Sequence, residues 1–469
     1  MAKERLDPGL LKLAGILVLG AMAPLLDSTI VNVAIRTLGH DLRVPVASVQ
    51  WVSTGYLLAL AIAVPVAGWT AERYGARRMW LAALGLFLAG SVLSGLAWNI
   101  GALVAFRAVQ GFGGGLMLPI LQTVLMRAAG GRGLGRLMAV VTLPALVAPI
   151  FGPVVGGLIV GHLSWRWIFY VNVPVCLAAI ALAWRALPAD RPGSRPRLDA
   201  TGLALLSPGV AALVYGLSRV GDLGGFGHVQ VLAPLVGGAL LVAAFAVHAV
   251  RDAEPLIDLR LFADRGFAAA TASLALSGLA MFSSMLLLPL YYQQVRGASV
   301  IMAGLLLVPQ GVGSLLARGA GALTDRIGPR PVLLAAIAAT VAGTVPFAMA
   351  DRAGGGLLAA ALVVRGLGLS AANMAVMVGA FQGLDRARLP HASGITRIAQ
   401  QLGGSFGTAI LAVVLQRQLT AHPSAPATAY AHTFALSVAL TVLAVVPALL
   451  MPAGFRTGKS TAAKTETRA

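Results

Sequence analysis

Charged residues are scarce in this chain of 469 residues: Asp, Glu, Lys and Arg together make up 11% of it, whereas hydrophobic residues make up 58%. The mean hydropathy of +0.85 excludes a water-soluble globular protein, because soluble domains cannot bury so much apolar surface. The apolar runs are about 20 to 25 residues long, which indicates membrane-spanning helices rather than the strands of a barrel. We therefore predict an all-α integral membrane protein.

Residue patterns typical of catalytic or metal sites are also lacking. The single cysteine, Cys176, lies in an apolar run, so the sequence has no disulfide framework and no cysteine-based metal site. The seven histidines show no ligand spacing, and no cluster of carboxylates, histidines and nucleophiles is visible. No polar segment is long enough for a signalling domain. A membrane-embedded enzyme or a sensor is therefore only a remote alternative, and we expect neither a metal nor a cofactor.

Fourteen apolar runs are long enough to span a bilayer. They cover residues 11–35, 48–69, 79–98, 101–126, 137–161, 167–185, 200–218, 230–250, 267–290, 301–323, 331–350, 356–381, 393–416 and 432–452. The net charge of +19 would suit a nucleic-acid binder, but the charges lie in short loops, so no nucleic-acid partner is expected. Of the 35 Lys and Arg residues, 24 lie on the side of the two termini and seven on the other. This bias predicts a multi-pass protein of the inner (cytoplasmic) cell membrane with both termini in the cytoplasm.

An internal repeat divides the chain. The segment Gly68–Arg78 between runs 2 and 3 is similar to Gly321–Arg330 between runs 10 and 11, and Arg107 in run 4 has a counterpart in Arg365 in run 12. Such repeats are typical of transporters that bind their substrate near the bilayer midplane. The predicted units are a six-helix bundle at 1–186, a linker with two inserted spans at 187–265, a second six-helix bundle at 266–452 and a disordered basic cytoplasmic tail at 453–469.

Asp27 is the only acidic residue inside the fourteen runs. An Asp at the centre of a membrane helix costs about 2.5–3.5 kcal/mol, so its side chain is expected to face a cavity or a partner. Counted along the helices from their outer ends, Arg107 lies about 9 Å deep and Asp27 about 13 Å. Burial opposes the charge of a carboxyl and a nearby arginine favours it, a balance that suits a group loading and releasing a proton. We predict that Asp27 and Arg107 carry proton coupling; a static ion pair is the alternative.

Other polar side chains inside the runs are candidates for lining a substrate cavity. They are Asn32, Gln110, Gln122, Gln310, Arg365 and Asn373. Bridging neighbouring helices explains Gln122, Gln310, Arg365 and Asn373 equally well. Arg318 and Arg397 lie within a turn or two of the cytoplasmic span ends, so we expect their long side chains to reach the surface.

Three motifs resemble those of the major facilitator superfamily. Gly68-Trp-Thr-Ala-Glu72-Arg73-Tyr-Gly75-Ala-Arg77-Arg78 resembles its loop signature, with Glu72 where Asp is usual. The second copy keeps Asp325, along with Arg326, Gly328 and Arg330. We expect these two loops to act as a conformational gate, whose ion pairs break as two halves rock. Arg107-Ala-Val-Gln110-Gly111 resembles a second motif, in which a buried Arg serves proton transfer. Gly152-Pro153-Val-Val-Gly156-Gly157 resembles the motif that marks exporters, though helix packing alone would explain its glycines.

Further segments narrow the resemblance. The residues around Asp27, Trp165–Pro174, Pro255–Phe262 and Ala392–Gly404 look like the fourteen-span drug/proton antiporters of the EmrB/QacA type. The resemblance implies the major facilitator fold, two six-helix halves plus two inserted helices. It also implies a monomer that exports lipophilic drugs or antibiotics in exchange for protons, by alternating access in the lipid bilayer. The alternative is a dedicated exporter of one endogenous metabolite, lipid or self-made antibiotic.

Overall fold

The computed structural model describes residues 7–129, 137, 152, 155–188 and 197–452. The helices of the first half include α1 (Pro8–Val33), α2 (Ile35–Asp41), α3 (Val46–Tyr74), α4 (Ala76–Gly95), α5 (Ile100–Ala129), α6 (Trp167–Tyr170) and α7 (Asn172–Ala186). Two further helices follow, α8 (Ala200–Leu223) and α9 (Val229–Arg251). The second half contains α10 (Arg265–Gln294), α11 (Val300–Leu306), α12 (Val308–Leu316), α13 (Arg318–Ile327), α14 (Pro329–Thr344), α15 (Gly355–Phe381), α16 (Leu389–Ala421), α17 (Pro426–Leu443) and α18 (Val445–Leu450). No strand occurs among the described residues, which confirms the predicted all-α class.

Twelve of the described helices or helix pairs are long and apolar enough to cross a membrane. They match the predicted runs except the fifth and the tenth. The fifth run, 137–161, lies mostly outside the described residues. The tenth is not one helix but three, α11 to α13, with breaks at Leu307 and Ala317. Pro309 follows the first break and has no N–H to continue the helical ladder. The count of fourteen spans therefore stays a prediction.

Several of the few acidic residues cap helices. The carboxylates of Asp7, Asp199 and Asp264 accept backbone N–H groups at the starts of α1, α8 and α10. The first N–H groups of a helix have no partner within it, so a carboxylate there satisfies them and also interacts favourably with the helix dipole. These acids therefore mark the ends of apolar segments rather than their interiors.

Tight turns at two glycines join α3 to α4 and α13 to α14. Gly75 has a φ of +96° and Gly328 a φ of +91°, which other residues rarely adopt. Both turns lie at the same end of the bundle. Near the first turn, Gly68 packs against Pro390 at the start of α16, and at the second turn Pro329 packs against Gly379 at the end of α15, the helix that precedes α16. We call this end the glycine-turn end. The helix α3 continues to Tyr74, so the predicted end of run 2 at residue 69 was too early, and Glu72 lies in the last helical turn.

Close helix packing repeats between the two halves. A Cβ at Gly90 would lie 2.6 Å from Gln110 Cα, and one at Gly343 would lie 2.6 Å from Arg365 Cβ. The position equivalent to Arg365 is therefore that of Gln110. The predicted equivalence of Arg107 and Arg365 was wrong, because it matched residue type along the sequence and not the residue that packs against the neighbouring helix.

The helix α8 packs against α3 and α16, and α9 packs against α8. Asp199 joins their ends: its carboxylate accepts the N–H groups of Gly202 (2.6 Å) and Leu256 (3.0 Å) and contacts His248 Nε2 at 2.8 Å. Burial raises the pKa of this carboxyl, but the three hydrogen bonds outweigh it and hold the pKa below its ordinary value. The segment after α9 is thus tied to the start of α8.

Candidate functional site

Asp27 lies in α1 and is completely buried. Its Oδ1 accepts hydrogen bonds from Gln110 Nε2 at 3.0 Å and from Asn172 Nδ2 at 3.1 Å. Its Oδ2 accepts one from Arg107 Nη1. Three donors, one of them charged, therefore surround a carboxylate to which lipid has no access. The Asp27 side chain faces protein partners, one of the two arrangements that its cost in a membrane leads us to expect.

Arg107 is 1% exposed and has partners on every side. Besides Asp27, it donates to Gln110 Oε1 at 2.7 Å and to the Val52 carbonyl at 3.3 Å. Its Cζ lies 4.1 Å from the centroid of the Tyr56 ring, a cation–π distance. An arginine stays charged in a protein, so this guanidinium is a permanent positive charge whose counter-charge is Asp27.

Ser91 completes the cluster. Its Oγ accepts hydrogen bonds from Gln110 Nε2 at 2.7 Å and Asn172 Nδ2 at 3.0 Å. We call Asp27, Arg107, Gln110, Asn172 and Ser91 the carboxylate network. It joins four helices, α1, α4, α5 and α7, around one carboxyl that lies beside one guanidinium.

Two members of the network were not predicted as site residues. Asn172 belongs to the Trp165–Pro174 segment, whose family resemblance was the only signal that could have singled it out. Ser91 gives no signal, because serine in an apolar run most often bonds its own helix. Tyr56, whose hydroxyl donates to the Pro24 carbonyl at 3.3 Å, was also missed.

In the second half, Arg365 takes the place that Gln110 has in the first. It is 1% exposed, and its Nε donates to Thr344 Oγ1 at 2.9 Å. Its terminal nitrogens donate to Gln310 Oε1 at 3.4 Å and to Ser284 Oγ. These partners are all neutral, so this half has a buried cation without a carboxylate among its hydrogen-bond partners in the described residues.

The remaining cavity candidates have varied surroundings. Gln122 Nε2 contacts Met377 Sδ at 3.9 Å, across the boundary between α5 and α15. Asn373 is nearly buried in α15. The backbone of Asn32 is part of α1, and its side chain lies outside the described part of the chain. A role in substrate binding stays a prediction for all of them.

The two loops predicted as a gate lie at the glycine-turn end. Glu72 forms an ion pair with Arg127 of α5, with 3.4 Å between Oε1 and Nη2. Arg77 Nη2 donates to the Trp184 carbonyl at 2.5 Å. In the second loop, Asp325 and the residue that follows it lie in the last turn of α13, before the turn at Gly328. The remaining predicted gate residues are Arg73 at the end of α3, Arg78 at the start of α4, Arg326 at the end of α13 and Arg330 at the start of α14.

Contacts between the two halves lie towards the same end. A Cβ at Gly68 would lie 3.2 Å from the Pro390 carbonyl oxygen. Further from this end, Thr123 Oγ1 donates to Ser393 Oγ at 3.3 Å. Thus α16 lies directly against α3 and α5 where the glycine turns are.

The predicted exporter motif packs against α1 close to Asp27. A Cβ at Gly152 would overlap Thr29, and one at Gly156 would lie 3.2 Å from the Ile30 carbonyl oxygen. Gly157 has no neighbour within 4 Å of such an atom, and Pro153 lies outside the described residues. The two close contacts lie within one turn of Asp27 along its helix.

Apolar helices of spanning length around a buried charged network define a multi-pass membrane protein. The model of the Major Facilitator Superfamily matches residues 17–408, and the chain belongs to this superfamily of small-molecule transporters. It is 42% identical over 420 residues to the "Multidrug resistance protein B homolog" of Mycobacterium tuberculosis, covering 88% of this chain and 78% of that one. It is 31% identical over 399 residues to the "Tetracenomycin C resistance and export protein" of Streptomyces glaucescens, covering 84% and 74%. These relatives confirm the resemblance to drug exporters.

A solved structure agrees with the fold. The proton:xylose symporter XylE superposes with a TM-score of 0.63 at 16% sequence identity, covering 93% of this chain and 94% of the other. At this identity the likeness concerns the fold alone, and it confirms the major facilitator architecture.

Proposed function

We propose that the protein exports lipophilic drugs or antibiotics from the cytoplasm in exchange for protons. The observation that carries this proposal is the carboxylate network, a single buried carboxyl beside a permanent cation in a superfamily of transporters. The names of the two relatives support export of toxic compounds. We assign the glycine-turn end to the cytoplasm, because most Lys and Arg residues lie in the loops of that side.

Transport follows from alternating access. In the arrangement described here α16 packs against α3 and α5 at the glycine-turn end, so this side is closed. Asp27 takes up a proton from the outer side in this state. The two halves then rock, and the Glu72–Arg127 ion pair and the contacts at Pro390 rearrange. The proton leaves to the cytoplasm as substrate binds. The carboxyl cycles between charged and neutral forms, while Arg107 keeps its charge.

The charges of the membrane interior limit the substrate. Asp27 and Arg107 cancel each other, whereas the described partners of Arg365 are neutral. A dication would meet this excess positive charge, so neutral or zwitterionic lipophilic molecules are the better substrates. A dedicated exporter of one self-made antibiotic is the second candidate, favoured by the tetracenomycin export relative. A growth-inhibition panel in a host without its own pumps separates the two, since a dedicated exporter protects against a single compound.

Asp27→Asn tests the proton-coupled mechanism, because the amide keeps the shape of the carboxyl but cannot carry the proton. In inverted vesicles with an imposed pH gradient, wild-type protein should accumulate a neutral fluorescent dye and Asp27→Asn should not. Asp41→Asn is the matched control, since Asp41 is exposed in α2, outside the carboxylate network. Gradient-driven transport by Asp27→Asn at the wild-type rate would refute the role of Asp27.

A further inference from the structure

The partners of the Asp27 carboxyl in the carboxylate network are all hydrogen-bond donors. Arg107 donates to Oδ2, and the amide nitrogens of Gln110 and Asn172 donate to Oδ1 at 3.0 Å and 3.1 Å. An ionised carboxylate only accepts hydrogen bonds, whereas a protonated carboxyl carries an O–H group that needs an acceptor. The described hydrogen bonds of Asp27 offer no such acceptor. The network in this arrangement therefore fits the charged carboxylate and not its protonated form.

The same two amides also bond to Ser91. Gln110 Nε2 donates to Ser91 Oγ at 2.7 Å, and Asn172 Nδ2 donates to it at 3.0 Å. An amide nitrogen has two hydrogens, so each amide directs one hydrogen to Asp27 Oδ1 and the other to the serine. All four amide hydrogens are thus bonded while Asp27 is ionised.

The Gln110 amide is fixed in this orientation. Its oxygen, Oε1, accepts a hydrogen bond from Arg107 Nη1 at 2.7 Å. A guanidinium has donors only, so a reversed Gln110 amide would point its nitrogen at another donor. Gln110 is also completely buried. Arg107 therefore holds this amide in place in both protonation states of Asp27.

The Asn172 amide is held at its nitrogen alone. Both of its hydrogen bonds leave from Nδ2, and within the described part of the chain its oxygen, Oδ1, accepts none. Rotation of an amide about its last side-chain bond exchanges the nitrogen and the oxygen, which are nearly equal in size. Asn172 can therefore present either a donor or an acceptor to Asp27 without a change in packing.

We propose that Asn172 is the positioning residue that lets Asp27 bind its proton, by turning its amide oxygen towards the carboxyl. A hydronium ion gives its proton to Asp27 Oδ1 and leaves as water. The new O–H group donates to Asn172 Oδ1, and the Ser91 hydroxyl rotates and donates to the same oxygen. Gln110 keeps its own two hydrogen bonds. When the proton leaves to water, the Asn172 amide turns back and donates to the carboxylate again.

This inference rests on the proposed function, because it takes Asp27 as the proton-binding group. Ionisable groups that face the network from the packed helices are Arg107 on α5, Tyr56 on α3, Tyr170 on α6 and Cys176 on α7, one turn beyond Asn172. Arginine stays charged, and tyrosine and cysteine are neutral near pH 7. About 20 Å or more of helix rise separates the others from these, namely Lys12, His40, Asp41, Glu72, Arg73, Tyr74, Arg77, Arg78, Arg127 and Arg185. Titration of Asp27 is therefore the event that turns the amide.

Infrared difference spectroscopy of the full-length protein in lipid detects the amide directly. The sequence has asparagine at Asn32, Asn99, Asn172 and Asn373, so protein with isotope-labelled asparagine side-chain carbonyls gives few bands. The pH is lowered until the protonated carboxyl band of Asp27 appears. We expect one asparagine band to move to lower frequency at the same time, because the Asn172 oxygen then accepts hydrogen bonds. Asn172→Leu should abolish this shift, and Asp27→Asn should abolish both pH-dependent changes.

Gln110 is the matched control, because its amide donates to the same two oxygens. In protein labelled instead at glutamine, comparison with Gln110→Leu should show no Gln110 band that shifts when Asp27 is protonated. Asn172→Ser also lacks the amide, so it assigns the Asn172 band if Asn172→Leu fails to insert. A carboxyl band that appears without a shift of the Asn172 band, or an equal shift of the Gln110 band, would overturn the proposal.

Transport separates this inference from the proposed function. In the vesicle assay, Asn172→Leu should slow proton-driven dye accumulation about five- to tenfold, the size expected for one lost hydrogen bond. Asn172→Ser can both donate and accept, so it should retain more of the wild-type rate. If the Asn172 band shifts but wild-type vesicles accumulate no dye, the proposed export is wrong and the amide rotation stands. If Asp27→Asn abolishes dye export and the Asn172 band does not move, the export stands and the rotation is wrong.

Discussion

Removing Asp27 alone should lower the free energy of unfolding more than removing both partners of the Asp27–Arg107 pair. Asp27→Leu leaves Arg107 buried beside uncharged groups, namely the Gln110 amide oxygen, the Val52 carbonyl and the rings of Tyr56 and Phe169. An arginine cannot discharge itself, and breaking a buried pair from one side typically costs about 3–5 kcal/mol. We expect Asp27→Leu to lower the free energy of unfolding by an amount within this range.

The reverse change should be milder. With Arg107→Met, the Asp27 carboxyl keeps hydrogen bonds from Gln110 and Asn172, and it can become neutral by taking up a proton. We therefore expect Arg107→Met to lower the free energy of unfolding by about half as much as Asp27→Leu. In the double variant no charge remains, so its cost should be lower than the sum of the single costs by at least about 2 kcal/mol.

Thermal unfolding in detergent measures these differences without an added label site. The Cys176 thiol is fully buried, so a thiol-reactive fluorophore reports unfolding of the chain. At the usual entropy of unfolding per residue, a chain of this length loses about 1 °C of melting temperature for each kcal/mol. Two results would refute the reasoning that Arg107 is a permanent charge balanced by one carboxylate. In one, the melting-temperature losses of the two single variants add up to that of the double variant; in the other, the two single variants lose equally.

Three further predictions concern packing, pH and reactivity. Gly366→Ala should sharply reduce the yield of folded protein in size-exclusion chromatography, because its Cβ would overlap the Gln310 carbonyl, whereas Gly85→Ala, with nothing within 4 Å, should leave the yield unchanged. Asp199→Asn should lower the melting temperature at pH 7. The difference from wild type should shrink as the pH falls through the lowered pKa of Asp199, because that carboxylate stabilises the fold only while it is charged. Cys176 should react with a maleimide only when the protein unfolds, as mass spectrometry of folded and heated samples would detect.

The sequence was sufficient for properties that depend on composition and local length. The apolar runs predicted the helices, and the repeated loop placed Gly75 and Gly328 at matching positions, where both have a positive φ. The breaks at Leu307 and Ala317 were missed because the run was drawn by its apolar length alone, although Pro309 follows the first break and Arg318 the second. A bend in an apolar segment depends on the helices packed around it.

Depth along a helix was also predictable, but the direction of a side chain was not. Asp27 and Arg107 were expected at similar depths, and the two side chains do meet. Arg397 was placed near a span end on the same counting, yet its side chain extends away from that end to Gln400. Rotamer choice and the facing helix decide this, and neither is visible in one sequence.

The repeat shows where the polar networks of the two halves differ among the described residues. Gln110 and Arg365 occupy equivalent positions, each packed against a glycine of the preceding span. In the first half the amide connects Ser91 to the carboxylate of Asp27. In the second half a guanidinium stands there, among hydroxyl and amide oxygens. The two halves thus share a packing frame but differ in charge at this position.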